Sequence, residues 1–243
     1  MTNHREEIYS KYLEHAVVSG QTPSQYSYAA WASAAEHYIR GWLPESKRSR
    51  VLDLGCGAGY FLKMLHAKGY SDLTGIDLSQ GQIALAKEAV PGAKLVCGNC
   101  REFLSAETGK YALITGFDFL EHLTKDELLE MLKLINKALV PGGRVIFQTP
   151  NPDSPFGMKV RYGDFTHESA VSPGSLHSIL KIAGLGEYEV RECGPYPHGV
   201  VSFVRYVLWR IAHYCFVIFN LIETGNSGGG VWTRVFVAAA RKK

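Results

Sequence analysis

From Val51 onward, short apolar runs alternate with amphipathic stretches, the pattern of strands exchanging with helices. The runs predict strands over 50–54, 72–77, 93–97, 111–116 and 142–149, and the stretches predict helices over 58–68, 80–89, 124–139 and 174–183. Leu128, Met131, Leu132, Ile135 and Leu139 fall on one face of the third helix, the spacing of a helix packed on a sheet. Pro141-Gly142-Gly143 stops that helix and turns the chain into the next strand. Ser172-Pro173-Gly174-Ser175 reads as a helix start with proline in its first turn. Two more strands are expected, over 186–193 and 231–241. The segment between them is long for a sheet connection, and its Gly199–Glu223 portion is strongly apolar and aromatic. Residues 1–48, with Tyr26, Tyr28, Trp31, Tyr38 and Trp42, predict an N-terminal helical cap before a domain over 49–243. Strand and helix alternating in this way fold as an α/β domain.

The first strand carries the most informative string, Val51-Leu-Asp-Leu-Gly-Cys-Gly-Ala-Gly-Tyr60. An acid near the strand's end and three alternating glycines put bare backbone against a ligand at the carboxyl end of a strand. The spacing is one residue shorter than the dinucleotide fingerprint. Asp53 stands where a pyrophosphate would be repelled and an ammonium group welcomed. Asp77 ends the next run, Leu73-Thr-Gly-Ile-Asp77. Two acids at the tips of adjacent strands suit a ligand with an amine and a ribose, which points to S-adenosylmethionine. The competing readings are a structural turn for the glycines and helix caps for the acids.

With 46% hydrophobic and 20% charged residues in 243, the balance is that of an ordinary globular chain. A net charge of +3 gives no argument for a nucleic-acid partner. Cys97 and Cys100 are the one close cysteine pair, with no second pair to complete a zinc site. No metal is expected. The odd cysteine count and an N-terminus without an apolar core lead us to expect reduced thiols and a cytoplasmic location.

Four strings in order, Val51–Gly59, Gly75-Ile-Asp-Leu-Ser79, Phe117-Asp-Phe-Leu-Glu-His-Leu123 and Leu139-Val-Pro-Gly-Gly-Arg144, resemble class I S-adenosylmethionine-dependent methyltransferases. The resemblance covers about residues 50–185. It implies a seven-stranded, mostly parallel, Rossmann-like sheet with helices on both faces and an antiparallel last strand. It also implies residue roles. Gly55, Cys56, Gly57 and Gly59 would line the methionine part of the cofactor, and Asp53 would sit near its amine. Asp77 would take the ribose hydroxyls and Leu78 would pack on adenine. Asn99 and Cys100 fall where the family usually carries an acid contacting the adenine amino group; here an amide replaces it. Phe117 and Asp118 would flank the sulfonium. Glu121 and His122 sit where a helix begins and read more readily as capping or packing residues.

A hydroxyl acceptor must lose a proton as it is methylated. His167, in Tyr162-Gly-Asp-Phe-Thr-His-Glu168, is the base candidate, with Asp118 and His122 in reserve. Tyr162, Asp164 and Glu168 would contact the acceptor, and a carboxylate among them would orient the imidazole. The strings from Gln148 through His167 to Leu176 are similar to O-methyltransferases acting on quinone precursors and on bacterial surface polysaccharides, which implies a small-molecule or lipid-linked glycan acceptor. A binding protein with a degenerate site and a nicotinamide-dependent reductase are the rivals of other classes. For 199–223 three placements stay open: a lid over the acceptor, a homodimer interface, or a helix lying peripherally on the inner membrane face with Arg205 and Arg210 toward headgroups.

Overall fold

The structure, a computed structural model, describes residues 25–228 and 230–243; the expected cap residues before Gln25 lie outside them. Its strands are β1 (Val51–Leu54), β2 (Leu73–Asp77), β3 (Lys94–Cys97), β4 (Tyr111–Phe117), β5 (Leu139–Pro150), β6 (Leu185–Glu192) and β7 (Val235–Lys242). They form one sheet in the order β3-β2-β1-β4-β5-β7-β6. The first five run parallel, and β7 lies antiparallel between β5 and β6. The mostly parallel architecture with an inserted antiparallel strand is therefore as expected.

The helices are α1 (Gln25–Tyr38), α2 (Tyr60–Ala67), α3 (Gln80–Ala89), α4 (Cys100–Ser105), α5 (Lys125–Ala138), α6 (Gly157–Arg161), α7 (Pro173–Ile182) and α8 (Val200–Thr224). They cover both faces of the sheet. Strand residues divide with period two between the two covering layers. Leu52, Leu54, Phe236 and Ala238 face a core closed by α5 and α7. Val51, Val237 and Ala239 face a second core closed by α1, α2 and α3. The described part of the cap belongs to that second core: Ala35, Ile39 and Trp42 are buried in it.

The capping chemistry explains the helix starts. Thr124 and Ser172 each make a reciprocal capping box, with Glu127 and Ser175. Local differences from the sequence pattern have local causes. α4, α6 and a 3₁₀ turn at Leu120–His122 are too short to show a helical period. β5 begins at Leu139 rather than at Gly142; Leu139 pairs with Tyr111, and a bulge carrying Gly142 at φ 74° intervenes before Leu113 meets Arg144. β7 starts at Val235, later than expected, because the Asn151 amide takes the carbonyls of Val231 and Thr233 at 2.9 Å each and holds that stretch as a loop.

Candidate active site

The carboxyl ends of β1, β2, β4 and β5 open on one edge of the sheet, where ligands of open α/β sheets bind. Two groups of side chains gather there. The first surrounds the glycine turn. Gly55, Gly57 and Gly59 all have positive φ, at 64°, 50° and 78°, yet each is glycine for a different reason. A Cβ on Gly55 would meet Phe119 at 3.1 Å, and one on Gly59 would meet Ala86 at 3.1 Å. A Cβ on Gly57 would meet nothing nearer than the Gln82 amide oxygen at 3.9 Å. Gly57 is thus the position where backbone faces open space rather than protein.

The Gly57 N–H donates to Asp77 Oδ2 at 2.9 Å, and the Ser79 N–H donates to Asp77 Oδ1 at 2.8 Å. Each carboxylate oxygen keeps further accepting capacity for a vicinal diol. Burial raises the Asp77 carboxyl above its usual range, against the pull of those two N–H groups. Asp53 is almost fully buried and accepts from Thr115 Oγ1 at 2.7 Å. Burial pushes it up to about 7, opposed by the Thr115 bond and helped by the charge of Asp77. An ammonium group placed beside Asp53 would relieve that cost.

Leu78, beside Asp77, exposes half its side chain (51%). Asn99 spends one lone pair as the N-cap of α4, accepting from the Arg101 N–H at 2.8 Å. Cys56 and Cys100 are buried thiols, both raised by burial, Cys100 to about 12, so neither is a nucleophile at neutral pH. Phe117 packs on Phe61 at 4.7 Å and edge-on against Trp31 of α1 at 6.1 Å between centroids. The chemistry of these residues would suit S-adenosylmethionine: open backbone at Gly57, a carboxylate with spare accepting capacity at Asp77, a buried acid at Asp53 and an exposed apolar side chain at Leu78.

The second group joins the β4 loop to the loop after α6. Asp118, at φ 51°, holds a backbone conformation uncommon for a non-glycine residue. Its carboxylate accepts from Gln148 Nε2 at 3.1 and 3.3 Å. Restricted hydration raises the Asp118 carboxyl, opposed by Gln148 and by the charge of His167. Access to solvent from the crevice limits that push. The two loops are stitched by the Glu121 carbonyl, which accepts from the N–H groups of Glu168 at 2.8 Å and Ser169 at 3.1 Å. Arg161 fastens the other side, donating to the carbonyls of His167 and Glu168.

This stitching brings His167 to His122, with ring centroids 5.0 Å apart. Thr166 Oγ1 donates to Asp164 Oδ1 at 2.7 Å, so it accepts from His122 Nδ1 at 2.9 Å. His167 Nδ1 lies 3.2 Å from the Arg161 carbonyl and must donate to it. Both histidines therefore present Nε2 as the basic nitrogen. The expected carboxylate on His167 is not what orients it: Asp164 binds Thr166 and reaches His122 through that hydroxyl, while a backbone carbonyl holds His167. Burial alone would raise the Asp164 carboxyl, but the two Thr166 hydrogen bonds and the charges of His122 and His167 carry it below the usual range. Tyr162 is largely exposed and stacks on the Arg161 guanidinium at 5.0 Å.

Glu121 is the site residue that sequence reasoning placed as packing or cap. It is buried, accepts from Thr149 Oγ1 at 3.1 Å, and has a carboxyl raised well above the usual range by burial and then by the charge of Asp118. Ligating atoms of Glu121, His122 and His167 lie within 4.8 Å of one another, close enough to gather around one cation. No spacing in the sequence announces this trio, because the hairpin of loops that assembles it is a tertiary feature.

Comparison with known proteins gives the family and the fold. The family described as "Methyltransferase domain" matches residues 27–189. The chain is similar to the ubiquinone biosynthesis O-methyltransferase of Coxiella burnetii, 32% identical over 108 residues, which is 43% of this chain and 45% of that protein. It is also similar to a Streptomyces venezuelae dTDP-3-amino-3,4,6-trideoxy-alpha-D-glucopyranose N,N-dimethyltransferase, 31% identical over 122 residues and half of each chain. The matches thus span less than two thirds of these curated relatives. Among solved structures, a SAM-dependent methyltransferase from Archaeoglobus fulgidus superposes with a TM-score of 0.64 at 21% identity, over 87% of this chain and 94% of that one, a likeness of fold.

Proposed function

Because the chain belongs to the S-adenosylmethionine-dependent methyltransferases, we propose that it is an O-methyltransferase whose acceptor is a sugar hydroxyl in surface-glycan synthesis. The cofactor supplies a methyl group already activated by positive sulfur. The chain's own residues then have two tasks, to align the acceptor and to remove its proton. The single observation that carries the reading is the pair of histidines at this edge of the sheet, each donating through Nδ1, which makes Nε2 the basic nitrogen. An amine acceptor that is already neutral needs no such base; a hydroxyl does.

In this reading His167 takes the proton. The Arg161 carbonyl fixes its tautomer, and the Asp118 carboxylate lies within electrostatic reach of the ring. His122, set by Asp164 through Thr166, is the reserve acceptor. Tyr162, Asp164 and Glu168 are assigned to acceptor contact. The cofactor side rests on Asp53, Gly57, Asp77 and Leu78, with Asn99 at the adenine edge.

A quinone precursor is the second reading, favoured by the similarity to the ubiquinone enzyme. The related sugar enzyme is named for an N,N-dimethylation, which makes nitrogen acceptors the necessary control. Labelled S-adenosylmethionine offered with nucleotide sugars, amino sugars, lipid-linked glycans and catechols tests the assignment. Label on a sugar hydroxyl supports it. Label confined to phenols or to amines overturns it.

A further inference from the structure

Helix α8 is long and apolar enough to cross a membrane by length and composition, and almost none of it is buried. Its contacts with the domain lie on one stripe. Ser202 accepts from the His198 N–H, Trp209 and His213 reach the Glu192 carboxylate at 3.5 and 3.2 Å, Phe216 packs on Trp232, and Asn220 donates to the Asn226 carbonyl. At 3.6 residues per turn these five positions share a face. Trp209, His213 and Phe216 fasten the middle of the helix to Glu192 and Trp232, while Ser202 and Asn220 bond the chain that flanks its two ends.

The chain enters α8 after β6 and leaves it toward β7, and Glu192 pairs with Phe236 at that end of the sheet. A single crossing would separate two ends that the sheet holds together. The helix does not span. Nor does its apolar surface cover the site: the stripe opposite the docked one points away from the domain. It consists of Val204, Val207, Ile211, Ile218 and Ile222, exposed at 51%, 40%, 58%, 56% and 80%. Arg205 and Arg210 sit on the two flanks between the stripes, and no carboxylate appears on the helix before Glu223.

We propose that α8 is a membrane-surface helix that seats the domain on an anionic bilayer. Apolar side chains outward, a docked face inward and cations along the boundary are the arrangement of a helix lying in the headgroup plane. Charge decides between a bilayer and a second copy of the chain. Two such helices meeting face to face would bring their arginines together with no acid opposite, whereas anionic lipid neutralises them. α6 and its loop add exposed Phe156, Met158 and Phe165 beside exposed Lys159, a second apolar and basic element leaving the same end of the sheet. The proposal stands on different residues from the acceptor reading and does not depend on it.

Flotation of the full chain with phosphatidylcholine vesicles, with and without phosphatidylglycerol, tests it. The chain should float with the anionic vesicles, and added salt should weaken the binding. Ile211→Asp with Ile218→Asp should lower partitioning at least about tenfold while S-adenosylmethionine affinity stays unchanged, which also certifies the fold. Arg205→Gln with Arg210→Gln should remove most of the preference for anionic lipid. On the unaltered chain, hydrogen exchange across 200–224 should slow when anionic vesicles are added. A chain that never floats and shows no such protection overturns the proposal. So does a dimer in solution that Ile211→Asp splits, which would make this face a contact between copies.

Discussion

The Gly57 N–H donates to Asp77 Oδ2 at 2.9 Å, so the glycine turn after β1 and the acid ending β2 form one piece of structure. The acid that would hold a ribose also fixes the turn that would cradle the rest of the cofactor. Asp77→Ala should therefore weaken S-adenosylmethionine binding by about 1–3 kcal/mol, through lost hydrogen bonds to a charged acceptor. Gly57→Val should weaken it further. It adds the strain of a β-branched residue at φ 50° to the loss of backbone approach. Calorimetric titration checks both, and unchanged affinity in folded variants would remove the assignment.

Asp53 links cofactor and pH. Its folded value of about 7 lies above its usual 3.8. A raised acid contributes stability that is present below its unfolded value and is lost as pH rises through the folded one. The free protein should lose thermal stability between about pH 4 and pH 7, and Asp53→Asn should flatten that slope. The wild type should also bind cofactor more tightly as pH rises through 7 than Asp53→Asn does, since the ammonium needs the ionised acid. Thermal melts and titrations across the range decide it; parallel profiles in the two proteins contradict it.

Burial and then the charge of Asp118 hold the Glu121 carboxyl well above its usual range, so the fold favours its protonated form. Glu121→Gln keeps an oxygen for the Thr149 hydroxyl, so stability at pH 7 should stay within about 1 kcal/mol of the wild type. At alkaline pH the variant should be the more stable, because the wild type must then ionise a buried group. Glu121→Ala should cost more at every pH. Chemical denaturation series report the difference.

Glu192 anchors α8 through Trp209, His213 and the Trp232 N–H. Glu192→Ala should loosen α8 and leave the sheet intact. Limited proteolysis should cut within 199–230 first, with cofactor affinity retained. A global loss of the fold would show α8 to be part of the core.

Much of this was legible in the chain. The apolar runs marked the seven strands, and the amphipathic stretches marked α2, α3, α5 and α7. The glycine turn with Asp53 and Asp77 stood out because ligand-facing backbone needs a particular residue at a particular place. Thr115 under Asp53, the burial of Glu121 and the Thr166 bridge to His122 were not legible, since each depends on which loops cross the sheet edge. The same holds for the direction in which α8 faces. Its composition left lid, interface and membrane open; the stripe from Ser202 to Asn220 became meaningful once Glu192 was seen beneath it.

The measurement closest to the centre of the account is the turnover of His167→Ala on a hydroxyl acceptor identified in the screen, alongside its cofactor affinity. Loss of a general base should lower turnover about 10²–10⁴-fold while S-adenosylmethionine binds as before. His167→Gln should fail equally, because an amide cannot take the proton. A variant that keeps more than about a tenth of the wild-type rate would contradict the account, and the proton would have to leave through His122 or Asp118 instead.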